Sequence, residues 1–447
     1  MAAFRRIWTT KAPEEVSSPI SDVRTTVLDN GLRVVAVPQP QLHRAHAALY
    51  VRVGSRYEAV ENNGLSHFLE HMLYRGTDRL KNAHEVNLEF ESLGGYLYAA
   101  TQTDFGVFSV TLPPESLAAA CGLFSEVMHR PAFCDIEIEK GIVCEEILED
   151  LDDEGRQVDA DNLSRALIYG SHPLGFTITG GEDNVRSFNH AMLREHYAKH
   201  YTAANSVLVF SGAVDADAAI ELGARNFSDL PRGERIVATP PPVTQKKPRL
   251  RIVENMSSQT ELRVCFRTVS ENAKERPAMD MFMRIIDDGM STRLYHRICD
   301  SQGLCYDVGA SFDGYEDDGV VDFVAGAQHA RTTRVTEEIL ALVRELAEEG
   351  PTEEELVKAR QRHVWELSGL RDSTEDLAAF YGTSYLFDRV ETPEERHEKL
   401  AAVSVDDVRA IARFIAQPER LNVVAVGLLE NDEDKRLTDL VKGYKFK

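Results

Sequence analysis

The sequence predicts an α+β fold built as two homologous α/β halves, and three observations point there. Prolines and charges concentrated at residues 229–248 divide the 447-residue chain near its middle. The order of apolar segments before that stretch is repeated after it. Late in each half the same kind of strand recurs, Asn205-Ser-Val-Leu-Val-Phe-Ser-Gly212 first and Leu421-Asn-Val-Val-Ala-Val-Gly427 second. A composition of 43% hydrophobic and 28% charged residues suits a globular protein of two or more domains.

In order, residues 23–28 and 32–37 alternate as strands around Asp29-Asn30-Gly31, a hairpin signal because Asn-Gly tolerates positive φ. Residues 45–53 form a third strand that ends at Gly54. An apolar helix near residues 64–73 comes next. Gly94-Gly95 then punctuates the chain before strands at 96–101 and 105–112. Helices follow at 114–129 and 136–151, the second strongly acidic. Pro231, Gly233, Pro240-Pro241-Pro242 and Lys246-Lys247-Pro248 support neither helix nor central strand and read as a linker. Beyond it come a strand at 261–267, a helix at 277–288, strands at 306–312 and 320–327, and a helix at 335–348. Thr352 and Glu355 form a capping-box pattern. The resulting division is an N-terminal extension at 1–20, a first domain at 21–230, a linker at 231–248 and a second domain at 249–447.

Charge and composition exclude some roles. A net charge of −23 argues against nucleic-acid binding, which needs a basic footprint. It fits a surface attractive to basic polypeptides, or simple solubility. No run of about 18–20 apolar residues marks a membrane span. Arg5 and Arg6 precede no apolar segment of the secretory kind, so a cytoplasmic location is expected. Cys121, Cys134, Cys144, Cys265, Cys299 and Cys305 contain no CxxC pair and read as reduced core residues. His84, His172 and His363 read as surface or turn residues, and Trp8 and Trp365 carry no site signal.

The chemistry concentrates in Gly64-Leu-Ser-His-Phe-Leu-Glu-His-Met72. At about 100° per residue, His67, Glu70 and His71 lie at i, i+3 and i+4 on one helical face. Two imidazoles so spaced can span a Zn2+ ion, which accepts histidine nitrogen at roughly 2.0–2.1 Å. Leu65, Phe68, Leu69, Met72 and Leu73 supply an apolar flank to anchor the helix. This is the inverted His-x-x-Glu-His arrangement of zinc peptidases. On the acidic helix, Glu139 and Glu146 are two turns apart and share a face, but spacing alone does not say which of them meets a metal.

Five stretches in one order carry a wider resemblance. They are Leu28-Asp-Asn-Gly-Leu-Arg33, Gly54-Ser-Arg-Tyr-Glu58, Gly64 to Met72 with Arg75-Gly76-Thr77, the segment 139–147, and His172-Pro-Leu-Gly175. Together they resemble the pitrilysin-type zinc metallopeptidases, in layout closest to the mitochondrial processing peptidase β-subunit type and its bacterial homologues. The second half matches more weakly, through Ser291-Thr-Arg-Leu294 and Gly303-Leu-Cys-Tyr306. The resemblance implies that each half is a mostly antiparallel sheet covered by helices and that the two form half of a clamshell. It implies one zinc ion per chain held by His67, His71 and Glu146, with Glu70 as general base, Glu139 supporting the site and Tyr306 contributing to catalysis. It also implies that an extended peptide adds to a sheet edge at Gly95, Tyr96, Tyr98, Ala99 and Thr101.

The sequence departs from that pattern in two places. Active relatives carry an Arg seven residues before the Tyr, where this chain has Cys299, and Arg297 lies about 200° away around a helix. Tyr98 stands where relatives commonly carry Asn. The expectation is therefore a catalytic subunit paired with a homologous chain that supplies an Arg/Tyr pair, with a homodimer as the alternative. A scaffold subunit of the same fold, or a zinc protein that holds peptides without cutting them, is the competing class.

Overall fold

The computed structural model describes residues 23–446. The predicted 1–20 extension and Trp8 lie outside the described residues. The first sheet contains β1 (Arg24–Val27), β2 (Arg33–Pro38), β3 (Ala45–Val51), β4 (Leu97–Thr101), β5 (Gly106–Leu112) and β6 (Ser206–Gly212) in the order β1-β2-β6-β3-β5-β4. The second contains β7 (Arg249–Val253), β8 (Thr260–Thr268), β9 (Cys305–Gly314), β10 (Gly319–Ala327) and β11 (Leu421–Val426) in the order β7-β11-β8-β10-β9. Setting β1 aside, the two orders superimpose strand for strand. Each has one parallel pair, β2 with β6 and β7 with β11, and every other pairing is antiparallel. The echo between residues 205–212 and 421–427 thus reflects equivalent central strands.

Helices follow the same plan. The first half supplies α1 (Leu65–Leu73), α2 (Ala83–Ser92), α3 (Leu117–His129), α4 (Ile136–Leu148), α5 (Ala160–Tyr169), α6 (Glu182–Ser187), α7 (His190–His200) and α8 (Ala216–Phe227). The second supplies α9 (Arg276–Ile286), α10 (Arg293–Tyr295), α11 (Thr332–Glu349), α12 (Glu353–Gly369), α13 (Thr374–Leu386), α14 (Pro393–Ala401), α15 (Val405–Ile415) and α16 (Glu433–Gly443). A π-helical turn, His296–Asp300, continues α10. The Thr352/Glu355 capping box forms at the start of α12. Residues 231–248 carry no helix or strand. They are nevertheless tied down, by Ala203 N donating to Pro231 O at 2.8 Å and Arg267 Nη1 donating to Pro242 O at 2.6 Å.

Two apolar cores fill the sheets' helix-covered faces, one centred on Phe68, Phe108, Phe124 and Phe210, the other on Phe266, Phe282 and Phe323. The opposite faces are covered by helices exchanged between the halves. Leu377, Ala378 and Tyr381 of α13 pack on Val35, Val37, Ala48 and Val209 of the first sheet. Reciprocally, Ala160 and Leu163 of α5 pack on Val424 and Val426 of the second. Charged pairs reinforce the junction: Arg52 forms a bidentate pair with Glu316 at 2.7 and 2.8 Å, and Arg56 pairs with Asp317.

Three expectations need correcting. His363 is not a surface residue, because it faces inward from α12 and is 3% exposed. Strand β4 begins at Leu97 and not at Tyr96, so Gly95 and Tyr96, both named with the peptide-adding edge, lie just before it. Cys134, Cys299 and Cys305 are only half-buried, the last two at the margin of the second core, and all six thiols are free.

Candidate metal centre

Helix α1 is set by its two ends and one face. Leu65, Phe68, Leu69, Met72 and Leu73 are buried against the first core. Gly64 opens the helix in a left-handed conformation, φ 96°, and no side chain of its own can cap it. The cap comes from upstream. Glu58, fully buried, accepts Gly64 N at 2.8 Å, Ser66 N at 2.6 Å and Asn63 Nδ2 at 3.0 Å. A negative group at a helix N-terminus also meets the positive end of the helix dipole. Burial pushes the Glu58 carboxyl above its ordinary range, opposed by the hydrogen bonds from Ser66 and Asn63. A Cβ on Gly64 would sit 2.5 Å from Thr179 O, so only glycine lets this helix start lie against the 179–180 backbone.

With α1 so fixed, His67 and His71 turn toward α4. His67 Nε2 lies 3.4 Å from Glu146 Oε1, and His71 Nε2 lies 3.6 Å from Glu146 Oε2. The two imidazole rings are 4.6 Å apart between centroids. The nearest donor atoms of His67, His71 and Glu146 all lie within 4.8 Å of one another. The structure therefore separates the two acids that spacing left equivalent. Glu146 faces both Nε2 atoms, while Glu139 accepts from His71 Nδ1 at 2.8 Å on the other side of the ring. Glu139 is in turn held by an ion pair with Arg75. That bond commits His71 Nδ1 to Glu139 and leaves Nε2 free to act as a donor to a metal.

The charges respond to this packing. Burial pulls His71 down, but the Glu139 hydrogen bond and the surrounding carboxylates outweigh it and raise the group overall. Glu146 is lowered, first by its hydrogen bond with His67. Two imidazole nitrogens and one carboxylate, converging within a few ångströms on a half-open surface, match the three-ligand set that catalytic zinc takes while keeping a further position open. The residues present fit that ion.

Glu70 projects from α1 beside the cluster, and Thr101 Oγ1 at the end of β4 donates to its Oε2. Thr101 thus orients an acid as well as ending the edge strand. Tyr96 and Tyr98 are largely exposed, and Ala99 is partly buried. Strand β4 is an edge of the first sheet, with its outer side unpaired among the described residues. Tyr306 stands apart, 91% exposed on β9. Cys299 lies in the π-helical turn, where the angular rule for an α-helix does not hold. Arg297 is committed to Glu338 and Glu345 of α11, so it does not stand in for the missing Arg. Sequence reasoning missed Glu58, Arg75 and the Thr101–Glu70 bond; the one signal for Glu58 was its place in the Gly54-to-Glu58 stretch.

Comparisons with known proteins give the family and the fold of the chain. Residues 33–180 match the family model for insulinase (peptidase family M16), and residues 187–362 match that for the peptidase M16 inactive domain. An uncharacterized zinc protease of Mycobacterium tuberculosis (strain ATCC 25618 / H37Rv) is 30% identical over 416 residues, covering 91% of this chain and 93% of the relative. Another from Bacillus subtilis (strain 168) is 27% identical over 398 residues, covering 88% and 95%. In fold, the chain resembles a peptidase M16 inactive domain from Pseudomonas fluorescens, with TM-score 0.83 at 21% identity, covering 91% and 98%. A protease from Helicobacter pylori aligns equally well, with TM-score 0.83 at 20% identity, covering 92% and 100%.

Proposed function

The chain belongs to the M16 family of peptidases, and on that premise we propose that it is a zinc-dependent endopeptidase, or the catalytic subunit of one, acting on extended peptides. The observation that carries the reading is the convergence of His67, His71 and Glu146 beside an oriented Glu70. In this reading the first three hold the metal, with Glu139 and Arg75 fixing the His71 ring. A bound zinc ion would supply Lewis-acid activation of water and of the scissile carbonyl.

The chain's own residues do the rest. Thr101 holds Glu70 Oε2, which leaves the other carboxylate oxygen to take a proton from the attacking water and deliver it to the leaving amine. The unpaired side of β4 offers main-chain donors and acceptors to a peptide in extended form, with Tyr96 and Tyr98 flanking it. Folded proteins cannot present such a strand, so unfolded segments are the expected substrates.

Cys299 in place of the relatives' Arg, and the exposure of Tyr306, support a paired assembly in which a homologous chain completes the substrate-holding residues. A homodimer is the alternative form, and a cytoplasmic location belongs to the same proposal. Among the described residues no helix is long and apolar enough to cross a membrane. The same two features favour one second reading, a zinc protein that holds peptides or builds a complex without cutting.

The test is zinc analysis of the purified chain together with cleavage of a mixed unfolded-peptide pool, alongside Glu70→Gln. The expected result is one zinc per chain in both proteins, and cleavage, by the chain alone or with its partner, only with Glu70 intact. Retained cleavage by Glu70→Gln would remove the proposed base. Stoichiometric zinc in His67→Ala/His71→Ala would overturn the ligand set.

A further inference from the structure

The departure at position 299 has a chemistry of its own. Cys299 Sγ and Cys305 Sγ lie 3.7 Å apart, and both thiols are free and half-buried. No other thiol pair among the described residues is in hydrogen-bond contact. The chain is folded back to bring them together. Gly303 N donates to Cys299 O at 3.0 Å, and Leu304 N donates to Ile298 O at 3.0 Å. Gly303 takes the left-handed conformation that closes the turn, φ 57°. A disulfide needs sulfurs at about 2.05 Å, so side-chain rotation with a small backbone adjustment has to close the gap.

What the pair would fasten is specific. Val308 pairs with Ala325 and Cys305 with Ala327, so Tyr306 and Asp307 together face Gly326 alone. That is a β-bulge, which re-aims the side chains it contains, and the exposed Tyr306 sits in it. On the other side, Cys299 belongs to the π-helical turn. A covalent link between 299 and 305 would pin that turn to the strand residue next to Tyr306.

We propose that Cys299 and Cys305 form a reversible dithiol–disulfide site, oxidised by low-molecular-weight disulfides, that locks the Tyr306 bulge. The Cys299 thiolate attacks one sulfur of the oxidant, forming a mixed disulfide and releasing one thiol. The Cys305 thiolate then displaces the second, leaving the Cys299–Cys305 bond. The protein loses two protons and two electrons, and the oxidant is reduced to two thiols. The order follows from the surroundings, since burial raises both thiols and pushes Cys305, the more enclosed, up to about 12. Thiolate supply limits such exchange, so it quickens as pH rises.

The test uses the full chain and oxidised glutathione, quenched with iodoacetamide and digested with trypsin. Both cysteines fall in one tryptic peptide, residues 298–331. The expected product is this peptide lighter by two hydrogens, without glutathione or alkyl groups, restored by dithiothreitol. It should persist at a reduced-glutathione concentration that removes the glutathione adduct of half-buried Cys134, because its second step is intramolecular and the resolving thiol is already in contact. Cys305→Ser should instead accumulate a glutathione adduct at Cys299. Two free thiols, separate glutathione adducts on Cys299 and Cys305, or a link from either to another cysteine would each overturn the proposal. None of these readouts depends on hydrolysis, so the outcome is separable from the proposed peptidase activity.

Discussion

Replacing Glu58 with Ala should loosen the metal helix without touching a proposed ligand. Its carboxylate is the acceptor for Gly64 N and Ser66 N, two of the donors that the start of α1 cannot satisfy internally. Leaving each buried N–H without an acceptor costs about 1–3 kcal/mol. Loss of an N-cap alone typically costs about 1 kcal/mol. Against this, removing a buried carboxylate recovers its own desolvation cost, which is the largest influence on its titration. The net is about 3 kcal/mol, which is roughly a hundredfold in a local opening equilibrium. Hydrogen exchange of the 64–73 amides should therefore speed up about a hundredfold in Glu58→Ala. Glu58→Gln, which keeps one acceptor oxygen, should give a smaller change. Exchange of these amides within about twofold of the parent chain would refute the capping argument.

Other expectations follow from the same structure. Glu139→Gln keeps the shape but weakens the hold on His71 Nδ1, and zinc affinity measured against a competing chelator should fall by about 10–100-fold. Arg52→Ala leaves Leu386 O without its donor and Glu316 with only Arg235 beside it, and should destabilise the junction by about 2–3 kcal/mol; adding Glu316→Ala should restore part of the lost thermal midpoint. Burial lowers His129 and His200 to about 4. The unfolded chain takes up those protons near pH 6.5, so their contribution is complete above 6.5 and is lost as pH falls toward 4, by up to roughly 3 kcal/mol each. Urea midpoints across that range should drop less in His129→Gln than in the parent chain, and an equal drop would contradict the assignment.

Much of this was legible in residues whose signal is local. Asn30-Gly31 marks the first hairpin because Gly31 takes φ 96°, and the Asn30 side chain adds bonds to Phe227 O and Leu230 O that no local pattern announces. The i, i+3, i+4 spacing put His67, Glu70 and His71 on one face, and the structure keeps them there. What spacing could not do was choose between Glu139 and Glu146, because seven residues is nearly two whole turns. The choice depends on which side of the His71 ring each carboxylate meets. The capping role of Glu58 was not legible, because its partners lie across a loop and burial of its charge is visible only once the chain has closed around it. His363 was misplaced for a related reason, since an imidazole on a polar helix is pulled inward by tertiary packing that its neighbours in sequence do not encode.

The exchange of α5 and α13 between the halves sets an order of events during synthesis. The outer face of the first sheet, with Val35, Val37 and Ala48, waits for α13 at Thr374–Leu386 before anything covers it. At roughly 5–20 residues per second, translation leaves that apolar face bare for tens of seconds. Ala160 and Leu163 of α5 are made early as well, and they wait for Val424 and Val426. Each half is thus born holding a piece that only the other can bury, and the nascent chain depends on being shielded from its neighbours until both are present.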